Sequence, residues 1–339
     1  MRSSKPSMKK TQRGIKNQRG IKNQRRGRKK TKKIKTLVLK KLMSDEDIKK
    51  KEGDFFKEKD FKFILKESSD VYYENDTGKK ILLARFRKNV IPLKLADIAL
   101  QELEEASKKK HDNRGAAGGA LDLKKLPKYV NTQEMVKRSK YVIRGYRSLK
   151  GGHLVNQIIG NQVSSNIIGY YDKPDRNLGK GAPQCRLTQF NKNHMEKFQK
   201  VIPFIQAINT QFRKLTPKQY RKQYHRAHQT DFKIDKTAFS TVTINHNWRT
   251  ALHQDSGDFK EGFGNLVVCE KGKYEGGYTG FPQFGVAFDV RQGDFLAMDV
   301  HQWHANTALK GKNYSRMSVV CYLREKMIRC QNLKLEGGN

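Results

Sequence analysis

The stretch TALHQDSGDF, residues 250–259, places His253 and Asp255 two apart where a strand is expected to run into a turn. On a strand, side chains at i and i+2 leave the same face, so an imidazole and a carboxylate at this spacing can grip one metal ion. The spacing alone carries little weight. With 9 histidines and 33 acidic residues in 339, roughly one H-x-[DE] is expected by chance. A second instance, His194 and Glu196, opens an amphipathic helix, where residues two apart diverge by about 200° and cannot share an ion. A facial set of two imidazoles and one carboxylate needs another histidine from a later strand and leaves cis positions open for other ligands. MDVHQWHANTAL offers His301 and His304, and either could complete the set. Further on, SRMSVVCYL puts Arg316 and Ser318 on one strand face, a guanidinium and a hydroxyl that make a fork for a carboxylate. Such a fork suits a dicarboxylate anchored by its distal end while its 2-oxo acid end chelates the metal.

These residues require strands to carry them and helices to back the strands. From residue 238 the pattern is short strands: FSTVTINHNW, GNLVVCE, VAFDV, DFLAMDV and RMSVVCYL, separated by glycine-containing turns, which argues for a barrel or jelly roll. Upstream, Met195, Phe198, Val201, Ile202, Ile205, Ile208 and Phe212 recur every three to four residues and specify a helix despite Pro203. A second helix is expected at LTPKQYRKQYHRA, with Thr216 as cap and Pro217 in the first turn. LADIALQELEEASKKK (95–110) reads as a helix, HDNRGAAGGALDL as a linker or flexible loop near 111–122, and GYYDKPDRNLGKGAPQCRLTQF (169–190) as turns leading into a short strand. The expected order is helices first, then an all-β carboxyl half.

Charge narrows the partner. The formal net charge is +38, and residues 1–41 hold 18 Lys and Arg with no acid, including the hexapeptide RGIKNQ in tandem at 13–18 and 19–24. Such a segment has too little apolar surface to offset its ordering entropy, and its cations suit a polyanion. No run of 18 apolar residues exists and the amino terminus lacks a secretory apolar core, so the expectation is a soluble intracellular protein, nuclear if the source is eukaryotic. The four cysteines show no zinc spacing and read as reduced.

The order H-x-D, distal H, R-x-S resembles the iron(II)- and 2-oxoglutarate-dependent dioxygenases. TVTINHNWRTALHQDSGDFKEGFGNLVV, DFLAMDVHQWHANT and RMSVVCYLR, with GYYDKPDRNLGKGAPQCRLTQF upstream, resemble the TET/JBP branch, whose members oxidise the 5-methyl group of pyrimidines in nucleic acid. The likeness covers roughly residues 165–325. It implies iron(II) on His253, Asp255 and His304, with the WHANT context selecting His304, and Arg316 pairing with the distal carboxylate of 2-oxoglutarate; dioxygen is the other cosubstrate. The cysteine-rich region of animal TET enzymes and a J-type DNA-binding insert are both missing, so thymine and 5-methylcytosine stay open. The target base must be extruded into the pocket. Asn247, Arg249, Arg186 and Tyr171 are candidates for contacts there. Asp258 falls in the DSGDF turn, where turn capping competes with a catalytic role.

The resulting expectation is an α+β protein with a double-stranded β-helix core, N-terminal helices and a disordered basic tail. Residues 1–53 are assigned to the tail, 54–122 to a mixed region and linker, and 123–330 to the oxygenase domain, with helical support at 191–229 and the jelly roll at 238–325. The partner is DNA, through tail and pocket, with no membrane; oligomeric state is left open. The alternatives are an oxygenase acting on RNA or protein, and a non-catalytic basic nucleic-acid-binding protein.

Overall fold

The computed structural model describes residues 34–330 apart from 113, 127, 129, 149–151 and 175–182. Its class is α+β. The largest sheet runs, edge to edge, Lys35–Leu39, Ser69–Glu74, Lys80–Arg87, Phe295–Met298, Gly264–Lys271, Ser315–Tyr322, Thr241–His246, Val163–Pro174 and Pro183–Leu187. Lys110–His111 pairs beside Val163–Pro174. Facing it, a smaller sheet orders Ala305–Asn306, Thr279–Phe281, Val286–Phe288 and Phe63–Leu65. The two sheets lie against one another without closing into a barrel.

Side-chain alternation explains why the central strands are buried on both faces. Val242, Ile244, Val267, Cys269, Met317 and Val319 point to one side, where they share a core with Leu100 and Leu103 of helix Leu93–Ser107 and with Phe204, Ile208 and Phe212 of helix Met195–Leu215. Leu266, Val268, Leu296 and Met298 point to the other, against Phe281, Phe284, Val286 and Phe288 of the small sheet and its turn. A central strand covered on both sides reads as a near-continuous apolar run, which GNLVVCE does. The helices therefore back one face, and the opposite face is left to the site.

Several expectations need correction. The tail does not extend to residue 53. Lys35–Leu39 pairs in parallel with Ser69–Glu74 and buries Leu37 and Leu39, and Asp45–Lys50 is a helix whose first turn is capped by the Ser44 hydroxyl accepting from Asp47 N–H. An alternating TLVL segment offers one apolar face, and the open sheet edge supplies the hydrogen bonds that a free tail lacks. The remainder of the expected tail, residues 1–33, lies outside the described residues.

The region 54–122 is likewise part of the fold, giving one strand to the small sheet, three to the large sheet and the helix that backs it. Helices and strands are thus interleaved along the chain. The expected linker at 111–122 is a tethered loop containing the short 3-10 turn Gly115–Gly118. The support helices are Gln189–Asn193, Met195–Leu215 and Pro217–Ala227. Thr216 stands at the cap of the last, but its hydroxyl donates back to Phe212 carbonyl. Cys185 and Cys330 form a disulfide, which no local spacing could reveal across a separation of 145 residues. Cys269 and Cys321 are free and buried.

Candidate active site

Strand Thr241–His246 ends at Asn247, whose φ of 46° turns the chain out of the sheet, a conformation asparagine tolerates better than most residues. The chain then returns toward the small sheet. His253 and His304 face each other as an antiparallel bridge, each N–H donating to the other's carbonyl at 3.0 Å, and Asp255 N–H donates to Val300 carbonyl at 3.0 Å. Two backbone bonds thus place imidazoles 51 positions apart in sequence with ring centroids 4.3 Å apart.

The side chains converge. His253 Nε2 lies 3.5 Å from Asp255 Oδ1 and His304 Nε2 lies 3.7 Å from Asp255 Oδ2. One donor atom from each of the three falls within 4.8 Å of the others. Two ligands about 2.1 Å from one ion at right angles are about 3.0 Å apart, so the set is within reach of a coordination sphere. His253 Nδ1 is 2.8 Å from Ala251 carbonyl and His304 Nδ1 is 2.9 Å from Gln302 carbonyl, which assigns the proton to Nδ1 and leaves each Nε2 lone pair facing the carboxylate. Burial, with His304 as the next cause, pushes the His253 imidazole down to about 4, so it is neutral near pH 7. His301 is elsewhere: its Nδ1 lies 3.2 Å from Asp299 Oδ1, and that hydrogen bond raises its pKa.

Arg316 and Ser318 share the site face of their strand with Val320 and Tyr322. Arg316 is 2 % exposed, donates from Nη2 to Gly277 carbonyl at 3.2 Å, and has an Nε sealed from solvent with no hydrogen-bond partner. A buried guanidinium so poorly satisfied fits an anion that is not part of the chain. Ser318 Oγ accepts from Asn245 Nδ2 at 3.4 Å. Gly277 makes room: a Cβ there would stand 3.2 Å from Arg316 Nε and 2.6 Å from Leu309 Cδ2.

A cavity of about 470 Å³ is lined by His253, Asp255, His304 and Ser318. Thr243, Asn245, Leu266, Met298, Ser318 and Val320 line it from the large sheet, and Arg114–Ala117, Asp258, Tyr322 and Arg324 also border it. Asp258 is buried and paired by a backbone bridge with Arg324, so it belongs to the wall instead of capping a turn. Burial and then the Asp255 carboxylate push its pKa well up, against the Arg324 charge. Arg324 donates from Nε to Asp172.

The other four contact candidates are placed outside this cavity lining. Asn247 is structural: its Oδ1 accepts Arg316 N–H at 2.7 Å, which fixes the strand that carries the arginine. Arg249 donates to Phe56 carbonyl at 2.6 Å with its guanidinium 4.8 Å from the Phe55 ring centre. Arg186 and Tyr171 are cross-strand partners stacked at 5.0 Å. In their stead the cavity has Asn245, Tyr322, Arg324 and Arg114. Strand parity from Ser318 could have found Tyr322, whereas nothing in HDNRGAAGG marks Arg114.

Comparison with known proteins agrees with this geometry. Residues 166–325 match the family model Tet_JBP, described as the oxygenase domain of the 2OGFeDO superfamily. These residues, just under half of the chain, are thus similar to an oxygenase domain of the iron(II)- and 2-oxoglutarate-dependent class. Within that class the likeness is to the TET/JBP branch. Thymine dioxygenase JBP1-A of Trypanosoma cruzi (strain CL Brener) is 33 % identical over 221 residues, 63 % of this chain and 25 % of its own length. Bifunctional helicase and thymine dioxygenase JBP2 of Leishmania tarentolae is 32 % identical over 170 residues, 49 % of this chain and 15 % of its own. This chain thus spans a quarter or less of the length of these relatives. Among solved structures, NgTET1 in complex with 5mC DNA is similar with a TM-score of 0.44 and 11 % identity, covering 76 % of this chain and 77 % of that one.

Proposed function

We propose that the chain is an iron(II)- and 2-oxoglutarate-dependent dioxygenase that hydroxylates the 5-methyl group of a pyrimidine in DNA. The names of the similar thymine dioxygenases point to thymine as the base. The observation that carries the reading is the convergence of His253, Asp255 and His304, with the under-satisfied Arg316 on the strand that brings Ser318 to the cavity they line.

Bound iron(II) with 2-oxoglutarate and dioxygen supplies the oxidant that takes hydrogen from the methyl group. The chain does the rest. The Ala251 and Gln302 carbonyls hold the two imidazoles in the ligating tautomer. Arg316 and Ser318 receive the distal carboxylate of 2-oxoglutarate, and the cavity takes a base swung out of the duplex, at a few kcal/mol of unstacking. The 15 Lys and Arg of residues 1–33 supply phosphate contacts. If six of them engage, the log-log salt slope of binding is about −5. Among the described residues no helix is long and apolar enough to cross a membrane. A DNA substrate places the protein wherever DNA is, the nucleus in a eukaryote.

The test is oxygen-dependent conversion of 2-oxoglutarate to succinate by the purified chain, with duplex DNA, RNA of equal length or neither added. Stimulation by DNA well above RNA supports the reading. Stimulation by RNA alone transfers the activity to RNA, and no turnover under any condition leaves a nucleic-acid-binding protein.

A further inference from the structure

Arg114–Ala117 lies outside the matched oxygenase domain, yet it forms part of the cavity wall together with His253 and Asp255. The loop is held from several sides. Ala251 N–H donates to Ala117 carbonyl at 2.9 Å, and the Asn161 amide donates to the carbonyls of Gly118, Gly119 and Ala120 at 3.0, 3.3 and 2.9 Å. Gly119 sits at φ +82° with the Phe55 ring 2.8 Å from where a Cβ would stand, so the close approach of the two segments requires glycine. Arg114 stands at the N-terminal cap of the turn held in this way.

Its guanidinium has no assigned task. Nε is sealed from solvent and has no hydrogen-bond partner. The carboxylate that bears on it is Asp255, which already serves the metal set. The neighbouring Arg324 is engaged with Asp172, and Arg316 is bonded to Gly277. Arg114 thus brings to the cavity lining a guanidinium whose Nε, like that of Arg316, has no partner, and an unpaired donor of this kind is costly unless a ligand satisfies the group.

We propose that Arg114 is a specificity-determining residue that donates to the O4 carbonyl of the base held over the metal site, and so favours thymine over 5-methylcytosine. This rests on the substrate reading above. On either base the ring position next to the 5-methyl group on its polar side is C4. With the methyl directed at the metal, the C4 substituent is the base's polar group nearest the metal set, and Arg114 lines the same cavity as Asp255. Guanidinium only donates. Thymine presents an oxygen acceptor there and cytosine an amino donor, so 5-methylcytosine would set two donors against each other in a buried site. Sites built to hydrogen-bond a ring substituent reject a ligand that cannot reciprocate by far more than an apolar pocket does.

The test uses the full chain with iron(II), 2-oxoglutarate and duplexes in which uracil replaces every thymine but one, or in which a single 5-methylcytosine is the only methylated pyrimidine. Wild type, Arg114→Gln and Arg114→Lys are compared by kcat/KM on each base and by 2-oxoglutarate decarboxylation without DNA. The expected wild-type preference for thymine is at least about tenfold. Arg114→Gln should lower thymine turnover by at least about tenfold while changing 5-methylcytosine turnover less than about threefold, and Arg114→Lys should fall between. DNA-independent decarboxylation reports whether the metal and 2-oxoglutarate groups still work in each variant, and each kcat/KM is read relative to it. A wild-type preference for 5-methylcytosine, or an unchanged preference in Arg114→Gln, overturns the assignment while leaving DNA oxidation standing. Loss of both activities with decarboxylation shows a structural role and also overturns it. Wild type oxidising neither base defeats the substrate reading itself.

Discussion

Replacing Arg316 by methionine separates binding from folding, because the two should move in different directions. Arg316 is 2 % exposed, makes one hydrogen bond to Gly277 carbonyl and leaves Nε unpartnered. Its strand is paired on both sides, so the backbone does not depend on the side chain. In the ligand-free protein, methionine keeps most of the volume and removes a desolvated cation with poor compensation, so stability should be unchanged or higher. With 2-oxoglutarate, two charge-assisted hydrogen bonds worth about 1.5–3 kcal/mol each are lost. Their sum, about 3–6 kcal/mol, weakens 2-oxoglutarate binding roughly 10²- to 10⁴-fold. Anaerobic titration calorimetry of the iron(II)-loaded chain reads the affinity, and urea unfolding of the metal-free chain reads the stability. Weakening of less than about threefold would refute the anchoring role. A stability loss above about 2 kcal/mol would refute the claim that the buried charge lacks adequate partners.

Three further outcomes follow from single contacts. Asp258 has a folded pKa well above the ordinary 3.8, so its contribution is favourable below that value and is lost as pH rises through the folded pKa. Asp258→Asn should therefore be no less stable than wild type at pH 8 and lose any advantage near pH 4, and urea melts showing a marked loss at pH 8 would contradict this. Gly277→Ala, at φ +68° with its Cβ against Leu309 and Arg316, should cost about 1–2 kcal/mol and raise the KM for 2-oxoglutarate. Gly78→Ala, at φ +74° with nothing within 4 Å, is the control that should cost the backbone part alone and leave KM unchanged. Reducing the Cys185–Cys330 disulfide should lower stability by about 2–4 kcal/mol, and Cys330→Ser should match the reduced protein and ignore added reductant.

Much of the site was legible because strand parity is a local rule. His253 with Asp255, and Arg316 with Ser318, are two apart on strands or their ends, so one face follows from the residue numbers. The choice between His301 and His304 was not local. It is made by the double backbone bridge between His253 and His304, a matter of register that three-residue spacing cannot express. The helix Met195–Leu215 was readable from its apolar stripe. Strand Lys35–Leu39 was hidden because its few apolar residues sit among lysines, and its order depends on a sheet edge supplied by Ser69–Glu74. Arg114 was hidden for the opposite reason: a Gly- and Ala-rich loop has the composition of a linker, and only the Ala251 and Asn161 hydrogen bonds make it a wall. Arg249 and Arg186 misled by type, since each is spent on an aromatic ring outside the cavity lining.

The most direct measurement is mass spectrometry of nucleosides released from duplex DNA after incubation with the chain, iron(II), 2-oxoglutarate and dioxygen, beside His253→Ala. The account expects thymidine to gain one oxygen atom with the wild-type chain and to stay unchanged with the variant. An equal gain with His253→Ala, or no gain on any pyrimidine from a chain that binds iron and 2-oxoglutarate, would contradict it.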